Sequence, residues 1–296
     1  MNFSKAQKHY LFMLIPGIVL LLTFETTPLL GSIVAFMDYS PGVPLSDQTW
    51  VGLDNFKYMF QMNDSWTIFK NTLLLATLKI VFNLVFPLIF AIMLNEVKNI
   101  VFKRWVQTIV YLPHFLSWVI LSGILVEILD LNGVVNTMIG WFGVDPILFL
   151  GSNKWFPTII VGSDVWKELG FNLVIYLAAL TGINPSLNEA AEVDGATRMQ
   201  RIWHVTLPGV RTTIVLLSTL AIGNVLNAGF DQVFNLYNPA VYQSGDIIDT
   251  YVYRAGLLEL QYSLATAMGL LKSVLSFILI VLAYTLANKF SNYRVF

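Results

Sequence analysis

Residues 188–210 read NEAAEVDGATRMQRIWHVTLPGV. The chain is apolar for a membrane-spanning length on either side of them, yet this stretch carries Glu189, Glu192, Asp194, Arg198, Arg201 and His204. Its local code is helical and interrupted. Ser186-Leu187-Asn188-Glu189 has the S-x-x-E form of a capping box, and Thr197-Arg198-Met199-Gln200 the T-x-x-Q form, in which the hydroxyl and the acidic or amide side chain satisfy each other's backbone N–H groups. Gly195 lies between them, and glycine takes the left-handed conformation that ends helices without a steric penalty. Pro208 follows, and proline is tolerated in the first turn of a new helix. The sequence therefore predicts helix, glycine turn, helix, and then a fresh helix from Pro208.

The two short helices differ in their faces. Leu187, Ala190, Ala191 and Asp194 share one side of the first, mostly small. Met199, Ile202, Trp203 and Val205 give the second a bulky side. Glu192, Arg198 and Arg201 are left for water or a partner. An amphipathic helix lying on the membrane surface is one reading. Such a helix needs no glycine hinge, no paired caps and no adjacent alanines to admit another backbone, so a docking element is the other.

Composition places this element in a membrane protein. Of 296 residues, 56% are hydrophobic and 12% charged, where a soluble domain has roughly 25% charged; mean hydropathy is +0.68. A net charge of −1 gives no basic face for nucleic acid. There is no cysteine, hence no disulfide and no thiolate metal site. Runs of about 20 apolar residues suffice to cross a bilayer as a helix, and six occur, at 10–36, 68–94, 105–129, 158–182, 209–235 and 264–288. The first continues past the length of a cleavable signal sequence and reads as retained. Lys5, Lys8, Lys98, Lys103, Arg104, Arg198, Arg201, Arg211, Lys289 and Arg294 fall on one side, against Lys57, Lys70, Lys154 and Arg254 on the other. The richer side is cytoplasmic. Both termini and the 184–209 loop are thus cytoplasmic, and loops 37–67, 130–157 and 236–263 are outside, with turn-forming and aromatic residues that suit ordered loops. The expectation is an all-α integral membrane chain, 1–296 forming a single transmembrane domain.

The spacing in the cytoplasmic loop resembles a known family. Glu189-Ala190-Ala191, three residues, Gly195, nine residues, Val205, one residue and Leu207-Pro208 is similar to the EAA loop of ABC importer permeases, EAA-x3-G-x9-I-x-LP, with valine in place of isoleucine. YLPHFLSWVI at 111–120, LYNPAVY at 236–242 and GDIIDTYVYRAGL at 245–257 resemble the LplB-like polysaccharide and oligosaccharide branch of those maltose-type sugar permeases. The resemblance implies a type I importer permease fold in a bacterial cell membrane. It implies that the EAA loop, with Glu189, Ala190, Ala191, Asp194, Gly195, Met199, Trp203, Leu207 and Pro208, couples to cytoplasmic ATPase subunits. One EAA loop for two ATPase sites implies a second, different permease subunit. An extracytoplasmic sugar-binding protein would deliver the carbohydrate. Glu189 reads as a capping residue, a docking residue, or both.

No catalytic chemistry is visible in the chain. There is no G-x-x-x-x-G-K-[ST] loop; MGLLKSV at 268–274 lacks the glycine before its lysine. No H-E-x-x-H occurs, and His9, His114 and His204 are scattered, so neither a metal nor another cofactor is expected. Charges inside spans cost about 2.5–3.5 kcal/mol on insertion scales and mark partners or polar paths. On the fifth span Asn224, Asn227, Asp231 and Asn235 fall at helical spacing on one face, suited to sugar hydroxyls or to helix–helix hydrogen bonds. Tyr237 and Tyr242 follow, with rings that suit stacking on a sugar. Asn172 and Tyr176 on the fourth span are weaker pathway candidates. Asp164, Lys167 and Glu168 are expected to neutralise one another, and Lys79 to pair with Glu25 or Glu127. These carboxylates also support a rival reading, an ion-gradient-driven secondary transporter, although no inverted repeat of broken helices is seen.

Overall fold

The computed structural model describes residues 5–223 and 225–291. Nearly all regular structure is helical, and the sole sheet among these residues pairs Met37–Asp38 with Thr49–Trp50 antiparallel. The helices needed below are α1 (Lys5–Leu21), α2 (Asn63–Asn95), α3 (Ile100–Tyr111), α4 (Trp118–Leu129), α5 (Phe156–Thr181), α6 (Pro185–Val193), α7 (Arg198–Arg201), α8 (Leu207–Ile222), α9 (Phe230–Leu236) and α10 (Tyr262–Ser291).

Five helical stretches are long and apolar enough to cross a membrane: His9–Phe36, Asn63–Asn95, Trp118–Gly140, which is interrupted by a turn after Leu129, Arg198–Ile222 and Tyr262–Ala283. The sixth span is α5, whose 26 residues reach about 39 Å and then bend by 69° into α6. The count of six holds, with two corrections to the boundaries. The third span does not begin at 105. α3 is a separate helix capped by Asn99, whose Oδ1 accepts from the N–H groups of Val101 and Phe102 at 3.0 and 3.1 Å. A tight turn through Leu112–Phe115 follows, and Ser117 caps α4. Pro113 in that turn has no N–H to continue the helix. The fifth span does not run to 235 as one helix. α8 ends at Ile222, and α9 starts only after Gly229, at φ +88°.

Most apolar residues along the spans face outward, as lipid-facing helices require, because hydrocarbon is as apolar a neighbour as another leucine. In α1 and its continuation, Phe12, Met13 and Phe24 are each at least 70% exposed.

The chain forms two compact units, Met1–Ser65 with Tyr251–Leu271, and Trp66–Thr250 with Lys272–Phe296. In the first, the segment after residue 36 is ordered, as its composition suggested. Asn55 Nδ2 donates to the carbonyls of Ala35 and Met37 at 2.9 and 3.0 Å, and Phe36 stacks on Trp50. Tyr39 N–H donates to Ser263 Oγ at 2.9 Å. In the second, one core cluster gathers Leu75, Phe156, Ile160, Val233, Leu236, Val241 and Ile247. Another gathers Ala91, Leu94, Leu173, Tyr176, Leu180 and Val210. Close approach depends on glycine at one crossing above all. A Cβ at Gly170 would lie 2.5 Å from the Val110 carbonyl oxygen, so α5 meets the end of α3 backbone to backbone.

Candidate functional site: a glycine turn and a polar cavity

The 184–209 loop folds as two helices about Gly195, with one cap displaced. The first cap is Asn184, whose Oδ1 accepts from Ser186 N–H at 3.1 Å, with Pro185 at the first helical position. Ser186 therefore sits inside α6, and the expected S-x-x-E box does not form. An N-cap must lie outside helical φ/ψ, and the residue before a proline is held there, so Asn184 wins. Glu189 is left exposed, with no hydrogen bond or ion pair among the described residues. The second box is present in full: Thr197 Oγ1 accepts from Gln200 N–H, and Gln200 Oε1 accepts from Thr197 N–H at 2.7 Å.

The turn between the helices is closed by the backbone. Gly195 has φ +78°. Ala196 N–H donates to Ala191 O at 2.9 Å and Gly195 N–H to Glu192 O at 3.1 Å, the paired bonds of a Schellman ending. Asp194 is its C-cap residue. Glu192 and Arg201 bridge the two helices at 3.0 Å. Around this turn Leu187, Val193, Met199 and Trp203 are exposed at 54%, 87%, 63% and 62%, and Ala190 is exposed while Ala191 is half-buried. An open hollow of about 320 Å³ is lined by Ala191, Asp194, Gly195, Gln200, His204 and neighbours.

Pro208 does not open a new helix. Arg198–Ile222 is one unbroken helix of 25 residues, with a π-turn over Ile202–Thr206 in which Leu207 N–H donates back to Ile202 O. Proline within a helix lacks an N–H and clashes with the carbonyl four residues earlier; the widened turn ahead of it relieves that conflict. The same device precedes Pro28, where Leu22–Thr26 is a π-turn closed by Thr27 N–H to Leu22 O. α7 is thereby continuous with the fifth span. Gly209 sits where this helix crosses the end of α5, since a Cβ there would approach Ile183 to 2.7 Å.

The second constellation lies among α2, α5 and the break after α8. Lys79 is 6% exposed. Its Nζ donates to Ala228 O at 2.7 Å, donates to Gln232 Oε1, and lies 3.3 Å from Asp164 Oδ1. Asp164 is thus the partner of Lys79, in place of the expected Glu25 or Glu127. Asp164 Oδ2 accepts from Asn83 Nδ2 at 2.7 Å. Gln232, wholly buried, donates from Nε2 to Ile160 O and Ser163 Oγ at 2.7 and 2.8 Å. Glycine is required at 229 by its φ and by Lys79, whose Nζ would be 2.8 Å from a Cβ.

Lys167 and Glu168 belong to a neighbouring group, so the three charges of α5 do not form one self-neutralised cluster. Lys167 Nζ donates to His114 O at 2.7 Å and is 3.9 Å from Glu168 Oε1. Glu168 Oε2 meets His114 Nδ1 at 3.0 Å. Both contacts of His114 tie the 112–115 turn to α5. Lys272 pairs with Asp249 at 2.5 Å.

A cavity of about 590 Å³ opens beside Lys79, lined by Asn83, Asp164, Glu168, Asn172, Asn227 and Gly229 among others. The structure brings Asn172 and Asn227 together there. Asp231 and Asn235 lie on α9, past the break, where Asn235 Nδ2 donates to Asp231 O. The single helical face expected for them with Asn227 does not exist, because the chain unwinds between Ile222 and Phe230. Asn224 lies outside the described residues. Tyr176 is packed in the core with no exposure. Tyr237 and Tyr242 stack on each other at 5.3 Å. Sequence reasoning missed Asn83, Gln232 and the break itself. Gly223 and Gly229, seven residues apart inclusive, were the available signal.

Comparison with known proteins fixes the class. Residues 83–292 match the family of binding-protein-dependent transport system inner membrane components, and the chain belongs to that family: it is a multi-pass ABC transporter permease of the bacterial cell membrane. Protein LplB of Bacillus subtilis (strain 168) is 42% identical over 293 residues, covering 99% of this chain and 92% of that protein. The polygalacturonan/rhamnogalacturonan transport system permease protein YteP of the same organism is 39% identical over 291 residues, covering 98% and 91%. The fold superposes at a TM-score of 0.90 and 39% identity, over 98% of each chain, on a solved bacterial alginate ABC transporter in complex with an alginate pentasaccharide-bound periplasmic protein.

Proposed function

We propose that this permease takes up oligosaccharides or polysaccharide fragments as one transmembrane domain, 1–296, driven by ATP hydrolysed on partner subunits. The observation that carries the coupling role is the 188–210 turn. It presents an exposed apolar and small-residue surface, and its second helix runs without a break into a span. Glu189, Ala190, Ala191, Met199 and Trp203 form the docking surface, Asp194 and Gly195 set the angle of the turn, and Leu207 and Pro208 carry it into the membrane. Since Asn184 takes the capping duty, the Glu189 carboxylate is free to meet a basic group on the ATPase. The partners are a second, different permease, two cytoplasmic ATPase subunits and an extracytoplasmic sugar-binding protein, as in the alginate transporter's complex with its periplasmic protein. Asn172 and Asn227 line the sugar path, with Asp231 and Asn235 beyond the break.

Uptake in membrane vesicles separates this reading from a secondary transporter. Uptake should persist when an ionophore collapses the ion gradients and stop when ATP is removed. Loss of uptake to the ionophore with ATP still present would overturn it. Glu189→Lys should leave the protein inserted while uncoupling ATP hydrolysis from uptake; normal uptake by that variant would remove the docking role.

A further inference from the structure

If the cavity beside Lys79 is part of the sugar path, as proposed above, its wall also selects the charge of the substrate. Lys79 is the one cation among the described residues lining it. An ammonium has three N–H donors, and three acceptors surround this one: Ala228 O, Gln232 Oε1 and Asp164 Oδ1. No proton is left for an incoming anion. Asp164 is also engaged on both oxygens, by Lys79 and by Asn83 Nδ2.

What remains open on the wall is of a different kind. Asn83 lines the wall with its Nδ2 given to Asp164, and its Oδ1, closed off behind the surface, has no partner and reaches a sugar only if the amide turns. Asn227 Oδ1 receives only a long bond, 3.4 Å, from Gly229 N–H. Asn172 adds a second amide, and Glu168 a carboxylate met by His114 Nδ1 at 3.0 Å on one oxygen and, at 3.9 Å, by Lys167 Nζ on the other. Amides both donate and accept, and a carboxylate accepts. A sugar hydroxyl, which also does both, finds partners on every side. A uronate carboxylate would meet a lining with two carboxylates and one lysine whose donors are all taken, while Lys167 behind Glu168 is committed to His114 O, so no cation of the wall is open to pair with it.

We infer that the part of the translocation path built by this chain accepts uncharged sugar residues and turns back uronates. This separates it from its relatives by substrate, since alginate is an acidic polysaccharide and polygalacturonan is built of uronic acid.

The test uses cells carrying the complete transporter. They are given a mixture of neutral and uronate-containing trisaccharides released from plant and algal polysaccharides, and imported species are identified by mass spectrometry. The expected result is import of neutral trisaccharides only. Asn83→Leu and Asn227→Leu should each lower it by about tenfold, the effect of about 1.4 kcal/mol, with the amount of assembled complex unchanged on blots. Asn227→Ser, which keeps a hydrogen-bonding group, should retain more import than Asn227→Leu, which guards against a folding fault. Import of uronate-containing sugars that both leucine variants reduce would overturn the inference while sparing the pathway. Import indifferent to both variants would overturn the pathway reading itself.

Discussion

Lys79 shows how one side chain can organise three elements. It sits mid-span on α2, reaches Asp164 on α5, and holds the unwound carbonyl of Ala228. Removing one member of a buried ion pair leaves the other uncompensated, typically at about 3–5 kcal/mol. Lys79→Met should therefore lower the thermal unfolding temperature of the purified protein in detergent markedly. Lys79→Met with Asp164→Leu should recover part of that loss, and a double variant no more stable than the single one would show the pair is not the source. The sequence flagged Lys79 as needing a partner and offered Glu25 or Glu127 where the structure has Asp164, because a lysine on one helix is matched by packing between helices, which local spacing does not encode. Gly195 is the opposite case. Its role was readable at once, since the left-handed region costs an L-residue about 1–2 kcal/mol and two caps bracket it. Gly195→Val should weaken coupled uptake while ATP binding by the assembled complex continues. The same ATP-binding and uptake assays on Gly195→Asn, a residue that tolerates this region, should show a smaller loss.

Among the elements, the crossing of α5 with the end of α3 leaves no room for a side chain at Gly170. Gly170→Leu would drive a bulky group into the Val110 carbonyl, and overpacking of this kind costs about 1–3 kcal/mol. Less inserted protein and a lower unfolding temperature are expected, with no change in substrate choice. The Glu192–Arg201 bridge is a weaker feature. Glu192 is 72% exposed, and exposed pairs contribute about 0–1 kcal/mol, so Arg201→Ala should leave the turn folded on its caps and Schellman bonds. Where the sequence misled, the cause was of one type. Ser186 met the pattern of a cap, but Asn184 before Pro185 met it with the backbone already in place. Pro208 met the pattern of a helix start, but a π-turn let the helix pass through it. The break after Ile222 was hidden because an apolar run counts residues and not hydrogen bonds.

For the whole molecule, the hydrophobic runs and the charge bias made six spans and their direction legible, and the EAA spacing made the class legible. The cavity was not, since its walls come from residues as far apart as Ala76 and Gly229. One structural detail bears on all of this machinery. The π-turn at Ile202–Thr206 adds a residue to a helix that otherwise advances about 100° per residue. The side chains proposed to dock, before it, and the face of the span after it are therefore set at an angle fixed by counting. Removing the extra residue of the π-turn, with regular α-helix restored, would keep the two faces close to their present angle, whereas inserting one residue into the regular helix just after Leu207 would swing Met199 and Trp203 about 100° around the axis. The number of residues between Gly195 and the span is a compass bearing as much as a length.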